Sequence, residues 1–214
     1  MRRDQWKDGR SAKELAKAWF PAPVIPAELS ALLESSPVEL GKINLCEGEP
    51  EVVVHFDPFR GPRNCDLLVH GSCQRGKIAI SVEAKADEVF GLTVGSAFDD
   101  GEQTKGSNIP CRIRRLTLAV LGKPVESCRE LRYQLLYGTA AALSAAAKHD
   151  AAIAIFVVHE FVTECTEDAQ LEQNAADLDK FVSTFRPPDL NEFAMTPIRR
   201  SSAVLCRERP SRCS

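Results

Sequence analysis

At 214 residues the chain is long enough to fill one well-packed core, and a composition of 44% hydrophobic and 27% charged residues excludes a fibre or a disordered chain. A formal net charge of −3 gives no global attraction for phosphate, so any contact with nucleic acid must be local. The expected organisation is a single domain over 1–214, with a core at about 27–160, a C-terminal helix and edge strand over 161–205 and a tail at 206–214.

The N-terminal stretch "MRRDQWKDGRSAKELAKAWF" lacks the apolar centre of a signal peptide, and the longest apolar run, "AAIAIFVV", is far too short to span a bilayer. A cytoplasmic protein with no membrane partner is expected. Ser11 and Glu14 have the spacing of a capping box, ahead of a short helix with Leu15 and Trp19 on one face. Pro21, Pro23 and Pro26 end it, and a second helix is predicted from Pro26 or Ala27 through Glu34, with Leu29, Leu32 and Leu33 as its stripe. From Val52 the period changes. "EVVVHF", "CDLLVHG" and "KIAISVEAK" read as three strands joined by turns, an antiparallel meander.

The polar, glycine-bearing "SAFDDGEQTKGSN" is expected to be a mobile loop, followed by a helix on which Ile113, Leu116 and Val120 have helical spacing. "ESCRELRYQLLYGTAAALSAAAKH" predicts a helix of about six turns at ~3.6 residues per turn. It leads into "AAIAIFVVHEF", the continuous apolar run of a strand covered on both faces. A threonine-capped helix follows over "TEDAQLEQNAADLDKFVSTF", ended by "RPPDLNEF", and then an edge strand near "SSAVLCR". The eight cysteines form no CxxC pair and read mostly as small apolar fillers, with Cys206 and Cys213 of the polar tail the most reactive.

The chemistry concentrates at the end of the third strand. Alternation puts Ile78, Ile80, Val82 and Ala84 on one face and Ser81, Glu83 and Lys85 on the other. If "CDLLVHG" pairs antiparallel with that strand, Asp66 lies opposite its end, which brings two carboxylates and an ammonium together. Asp66, Glu83 and the Ala84 carbonyl are then hard oxygen ligands for Mg²⁺, with Mn²⁺ as a substitute. Such an ion lowers the pKa of a bound water and neutralises charge developing on a phosphoryl group, while Lys85 orients or deprotonates that water.

Asp66, the interval of 17 residues to Glu83, and Glu83-Ala84-Lys85 resemble the signature of the PD-(D/E)XK, or restriction-endonuclease-like, nuclease superfamily. The resemblance implies an α/β fold with an α-β-β-β-α-β core around a mixed sheet, and residues 27 to 159 read in that order. It also implies Mg²⁺-dependent phosphodiester hydrolysis, with metal at Asp66 and Glu83, Lys85 as the motif lysine, and nucleic acid, DNA first, as partner. Asp66 follows "GPRNC" without an adjacent proline, a position that varies in the superfamily. Members resembling RecB-type exonucleases add a glutamine and a tyrosine on the next helix. "RYQLLYG" offers Gln134 and Tyr137, one residue short of that spacing. A glutamate on the first core helix is matched by Glu34, with Glu28 and Glu39 as equal alternatives. The whole chain also resembles a family of uncharacterised bacterial proteins.

Competing readings follow from the same residues. A catalytically inactive domain of the same fold would bind nucleic acid or a protein. A metal-independent binding protein would carry Glu83 and Lys85 as a solvent-facing ion pair worth ~0–1 kcal/mol. Asp66 would then be a turn residue and Gln134 an exposed helix residue. Arg112, Arg114 and Arg115 are candidate phosphate contacts, a solvated helix face being the commoner reason for such a run. His55, His70 and His159 lack the spacing of a zinc site.

Overall fold

The computed structural model describes residues 6–20, 25–34, 40–184, 193–197 and 202–208. Two short helices, α1 (Ser11–Trp19) and α2 (Ala27–Glu34), precede a meander of β1 (Asn44–Val54), β2 (Arg63–Cys73) and β3 (Gly76–Lys85). Helices α3 (Val94–Gln103) and α4 (Ile109–Leu116) come next, then α5 (Tyr133–Lys148), β4 (Ile153–Glu160) and α6 (Asp168–Thr184). Two further strands, β5 (Phe193–Pro197) and β6 (Ser202–Glu208), close the series. The fold is α/β, with one mixed sheet in the order β1-β2-β3-β4-β6-β5.

A tight turn joins β2 to β3, with Cys73 paired to Gly76, whose φ of 119° is a conformation that side chains disfavour. Strand β4 runs parallel to β3, from Ile78 opposite Ile153 to Lys85 opposite Glu160, so the chain must cross from one end of the sheet to the other. Helix α5 ends that crossover. Its close approach to the sheet depends on Gly138, where a Cβ would lie 2.5 Å from Phe156 Cζ.

The two faces of the sheet have different cores. On one, Leu67, Val69, Ile78, Ile80, Val82, Ile155 and Val157 pack against Leu15 and Trp19 of α1 and Leu29, Leu32 and Leu33 of α2. On the other, Phe156 and Val158 meet Leu135 and Leu136 of α5 and Ile113 and Leu116 of α4. Each fully buried aliphatic side chain contributes roughly 1.5–3 kcal/mol, so these layers fix the register of β3 and β4. The charged end of β3 therefore stands at a set place on the α5 side.

Several expectations are corrected. The predicted loop around "SAFDDGEQ" is helix α3: Thr93 Oγ1 accepts the Ser96 N–H at 3.1 Å as its cap, and the face with Val94, Gly95, Ala97 and Gly101 is buried. Small residues make that packing close, as a Cβ on Gly101 would lie 2.7 Å from Pro110 Cδ. The six-turn helix is shorter, because Arg132 is extended, forms a bridge with Thr93 and donates to Asp177 at 2.7 Å and to the Gly91 carbonyl at 2.9 Å. Helix α4 ends at Leu116 and passes through a wider turn, Thr117–Leu121, into left-handed Gly122.

Strand β1 starts at Asn44, well before Val52, because pairing with β2 overrides its Glu, Gly and Pro content. Strand β6 is not an edge; it pairs with both β4 and β5. Arg10, not Ser11, holds the cap position of α1, and the Glu14 carboxylate accepts the Gly9 N–H at 2.9 Å. The residues of α6 are preceded by Thr166, whose hydroxyl donates to the Ala86 carbonyl at 2.7 Å instead of capping. Among the described residues no helix is long and apolar enough to cross a membrane.

Candidate active site

Glu83 and Lys85 sit on β3 facing α5, and only 4% and 3% of their surfaces are exposed. The solvent-facing ion pair is therefore excluded: these are two buried charges, which persist only where partners compensate for lost hydration. Glu83 has three such partners. It accepts from Arg63 Nη2 and from Gln134 Nε2, and Lys85 Nζ lies 3.4 Å from its Oε1. Lys85 also reaches Glu88 Oε1 at 3.3 Å and sits 5.6 Å from the centre of the Phe90 ring.

Asp66 reaches the site through an irregularity in β2. The β2–β3 ladder ends at the pair Leu67–Val82. Leu67 and Val69 face α1 and α2, yet Cys65 packs with Val54 and with Ala141 of α5, and Ser81 Oγ donates to Cys65 Sγ at 3.3 Å. Simple alternation would place Cys65 and Leu67 on one face, so the strand changes face at Asp66. The carboxylate fills the gap where the ladder stops, its Oδ2 accepting the Ala84 N–H at 2.8 Å.

Both carboxylates line one cavity of about 390 Å³ with Arg63, Asn64, Arg112, Tyr133, Gln134 and Tyr137. Burial and the neighbouring Glu83 charge push the Asp66 carboxyl up to about 7, against the Ala84 N–H and the Arg63 and Lys85 charges, which favour ionisation. Burial also raises the Tyr137 hydroxyl, opposed by Arg63, whose guanidinium carbon is 4.6 Å from the Tyr137 ring centre. Tyr133 meets Tyr137 edge-on with ring centres 5.0 Å apart.

Of the residues named from sequence, Asp66, Glu83, Arg112, Gln134 and Tyr137 line the cavity, and Lys85 touches it only through Glu83. Ala84 holds Asp66 by its N–H. The three arginines of α4 do not act as one surface. Arg112 is buried and committed to Asp57 at 2.6 and 3.0 Å and to the Arg60 carbonyl at 3.0 Å. Arg114 is exposed, paired with Glu102 at 3.1 Å, and Arg115 lies 5.3 Å from the Phe59 ring centre.

The histidines stay apart: His159 accepts the Trp19 indole N–H at 3.2 Å, while His70 stacks on His149. Among the described residues no three His, Cys, Asp or Glu side chains form a metal-binding group. The side chains of Glu28, Glu34, Glu39, Cys206 and Cys213 lie outside the described residues. Arg63 is the residue that sequence reasoning missed. Alternation along β2 assigns it to the face opposite Asp66, and only the irregularity at 65–67 brings the two into one cavity.

Fold and site together define an α/β protein with a mixed sheet flanked by helices and, at the sheet's end, a carboxylate pair of buried Glu83 and half-buried Asp66. The chain belongs to the family described as "Domain of unknown function (DUF6946)", whose model matches residues 1–205. Neither the curated proteins nor the solved structures contain a match.

Proposed function

We propose that the protein is a Mg²⁺-dependent phosphodiester hydrolase of nucleic acid, with a restriction-endonuclease-like core formed by α2, β1, β2, β3, α5 and β4. The observation that carries this reading is the meeting of Asp66 and Glu83 on one cavity wall, with Lys85 and Gln134 both directed at Glu83. The element order and the parallel β3–β4 pair are consistent with it.

The residues fit a hard divalent cation. Asp66 uses Oδ2 for the Ala84 N–H, its Oδ1 has no hydrogen bond among the described residues, and Glu83 and the Ala84 carbonyl offer further oxygens. Burial and the adjacent Glu83 charge push the Asp66 carboxyl up, and such a pair calls for added positive charge. Asp66, Glu83 and the Ala84 carbonyl would hold the ion, which when bound supplies charge neutralisation for the phosphoryl group and an acidified water. The protein's own residues do the rest. Gln134 fixes the Glu83 carboxylate, Lys85 directs a proton donor at the same group, and the Tyr133 and Tyr137 rings line the cavity beside it.

A second reading, a non-catalytic module of this fold, draws on the Arg63–Glu83 pair, in which a cation from the chain already neutralises the carboxylate. Cleavage of single-stranded, duplex and branched DNA and of RNA, each with Mg²⁺ or Mn²⁺, separates the two. Cleavage that disappears in Glu83→Gln supports hydrolysis. Intact substrates at metal saturation reject it in favour of binding.

A further inference from the structure

Arg63 opens β2 with its side chain only 5% exposed, and it lines the cavity that holds Asp66 and Glu83. Its Nη2 donates to Glu83 Oε2, while its Nε is buried and has no hydrogen-bond partner among the described residues. The guanidinium lies over the Tyr137 ring, a low-cost resting place for a cation, and burial disfavours its charge while Glu83 stabilises it. A guanidinium has five donors in a planar fork matched to two oxygens at once, and this one is engaged with Glu83 by a single arm. The contact is thus a charge pair more than a geometric lock.

Glu83 is also the carboxylate that the reading above assigns to a divalent cation. A guanidinium and a divalent ion on one buried carboxylate repel each other strongly, because low dielectric weakens screening on both. Resting on that reading, we propose that Arg63 is an internal counter-ion of the site: it neutralises Glu83 in the absence of a divalent cation and is displaced from that carboxylate when the cation binds. The empty site is then kept folded, and affinity for the cation is set by competition with Arg63.

Calorimetric titration with Mn²⁺ alone tests this on the parent, Arg63→Gln and Glu83→Gln. Arg63→Gln should bind Mn²⁺ at least tenfold more tightly, and Glu83→Gln should lose binding. In metal-free buffer a double-variant cycle between Arg63→Gln and Glu83→Gln should show coupling, the double variant being more stable than the sum of the single losses predicts. Mn²⁺ bound by the parent but no more tightly by a folded Arg63→Gln overturns the counter-ion role alone. No Mn²⁺ uptake by any form overturns the metal reading and this inference with it. Should Arg63→Gln not fold, the parent suffices. Its Arg63 Nε–H signal, identified by its loss in Arg63→Lys, should shift in step with Mg²⁺ saturation, and a signal unmoved at saturation overturns the displacement.

Discussion

Replacing Asp66 by asparagine removes a carboxylate that its surroundings hold in an uncomfortable state. The side chain is half-buried beside Glu83, and its carboxyl is pushed from an ordinary 3.8 up to about 7. A carboxyl whose folded pKa is raised contributes stability that is fully present below the unfolded value. That contribution is lost as pH rises through the folded value, because the native state then holds a proton that the unfolded chain has released. The window is therefore about pH 4 to 7. At about 1.4 kcal/mol per tenfold change in proton affinity, the full displacement corresponds to about 4 kcal/mol, and partial exposure reduces the expected effect to about 1–3 kcal/mol. Asparagine keeps an oxygen to accept the Ala84 N–H and never ionises. In urea unfolding with chelator, Asp66→Asn should match the parent near pH 3 and exceed it by about 1–3 kcal/mol near pH 8, with equal m values. Adding Mn²⁺ at pH 8 should stabilise the parent and leave the variant unchanged. Equal stability of the two proteins at pH 8 without metal, or a difference that does not vary with pH, would refute the argument that burial and the Glu83 charge raise the Asp66 carboxyl.

Lys85→Met keeps the length of an apolar stem and removes a charge that sits 3.4 Å from Glu83, while Arg63 and Gln134 still hold the carboxylate. Stability should fall by no more than about 1 kcal/mol while cleavage drops by about a hundredfold or more, read by thermal unfolding and by initial rates. Gly138→Ala places a methyl group 2.5 Å from Phe156 Cζ, so α5 must move away from β4. Overpacking of this kind costs about 1–3 kcal/mol in chemical unfolding, and cleavage should fall too because Gln134 and Tyr137 ride on the same helix.

What the sequence made legible follows from periodicity. Strand β3 and the buried β4 announce themselves by runs of β-branched residues, and alternation alone puts Glu83 and Lys85 on a common face. The same rule hid Arg63, since the change of face at Asp66 is a local departure that only pairing with β1 and β3 reveals. Gln134 lies within reach of Glu83 because α5 begins later than its alanine-rich sequence suggests, at the residue after Arg132, whose contacts with Thr93 and Asp177 stop the helix from extending backwards. Helix α3 was invisible for a related reason. Glycine and aspartate argue for a loop on propensity, and close packing of Gly101 on Pro110 outweighs them.

The burial of Glu83 and Lys85 separates the site from an ordinary surface ion pair. Groups this deep carry a desolvation penalty that a protein without use for them avoids by placing apolar residues there. Here the charges converge on a cavity that Arg112, tied to Asp57 and the Arg60 carbonyl, also lines.

The central claim, that Asp66 and Glu83 share a divalent cation, is tested most directly by the anomalous signal of crystals soaked in Mn²⁺. A peak within bonding distance of an oxygen of each carboxylate and of the Ala84 carbonyl is the predicted result. Crystals in which that position shows no peak at saturating Mn²⁺, with Arg63 still bound to Glu83, would contradict it.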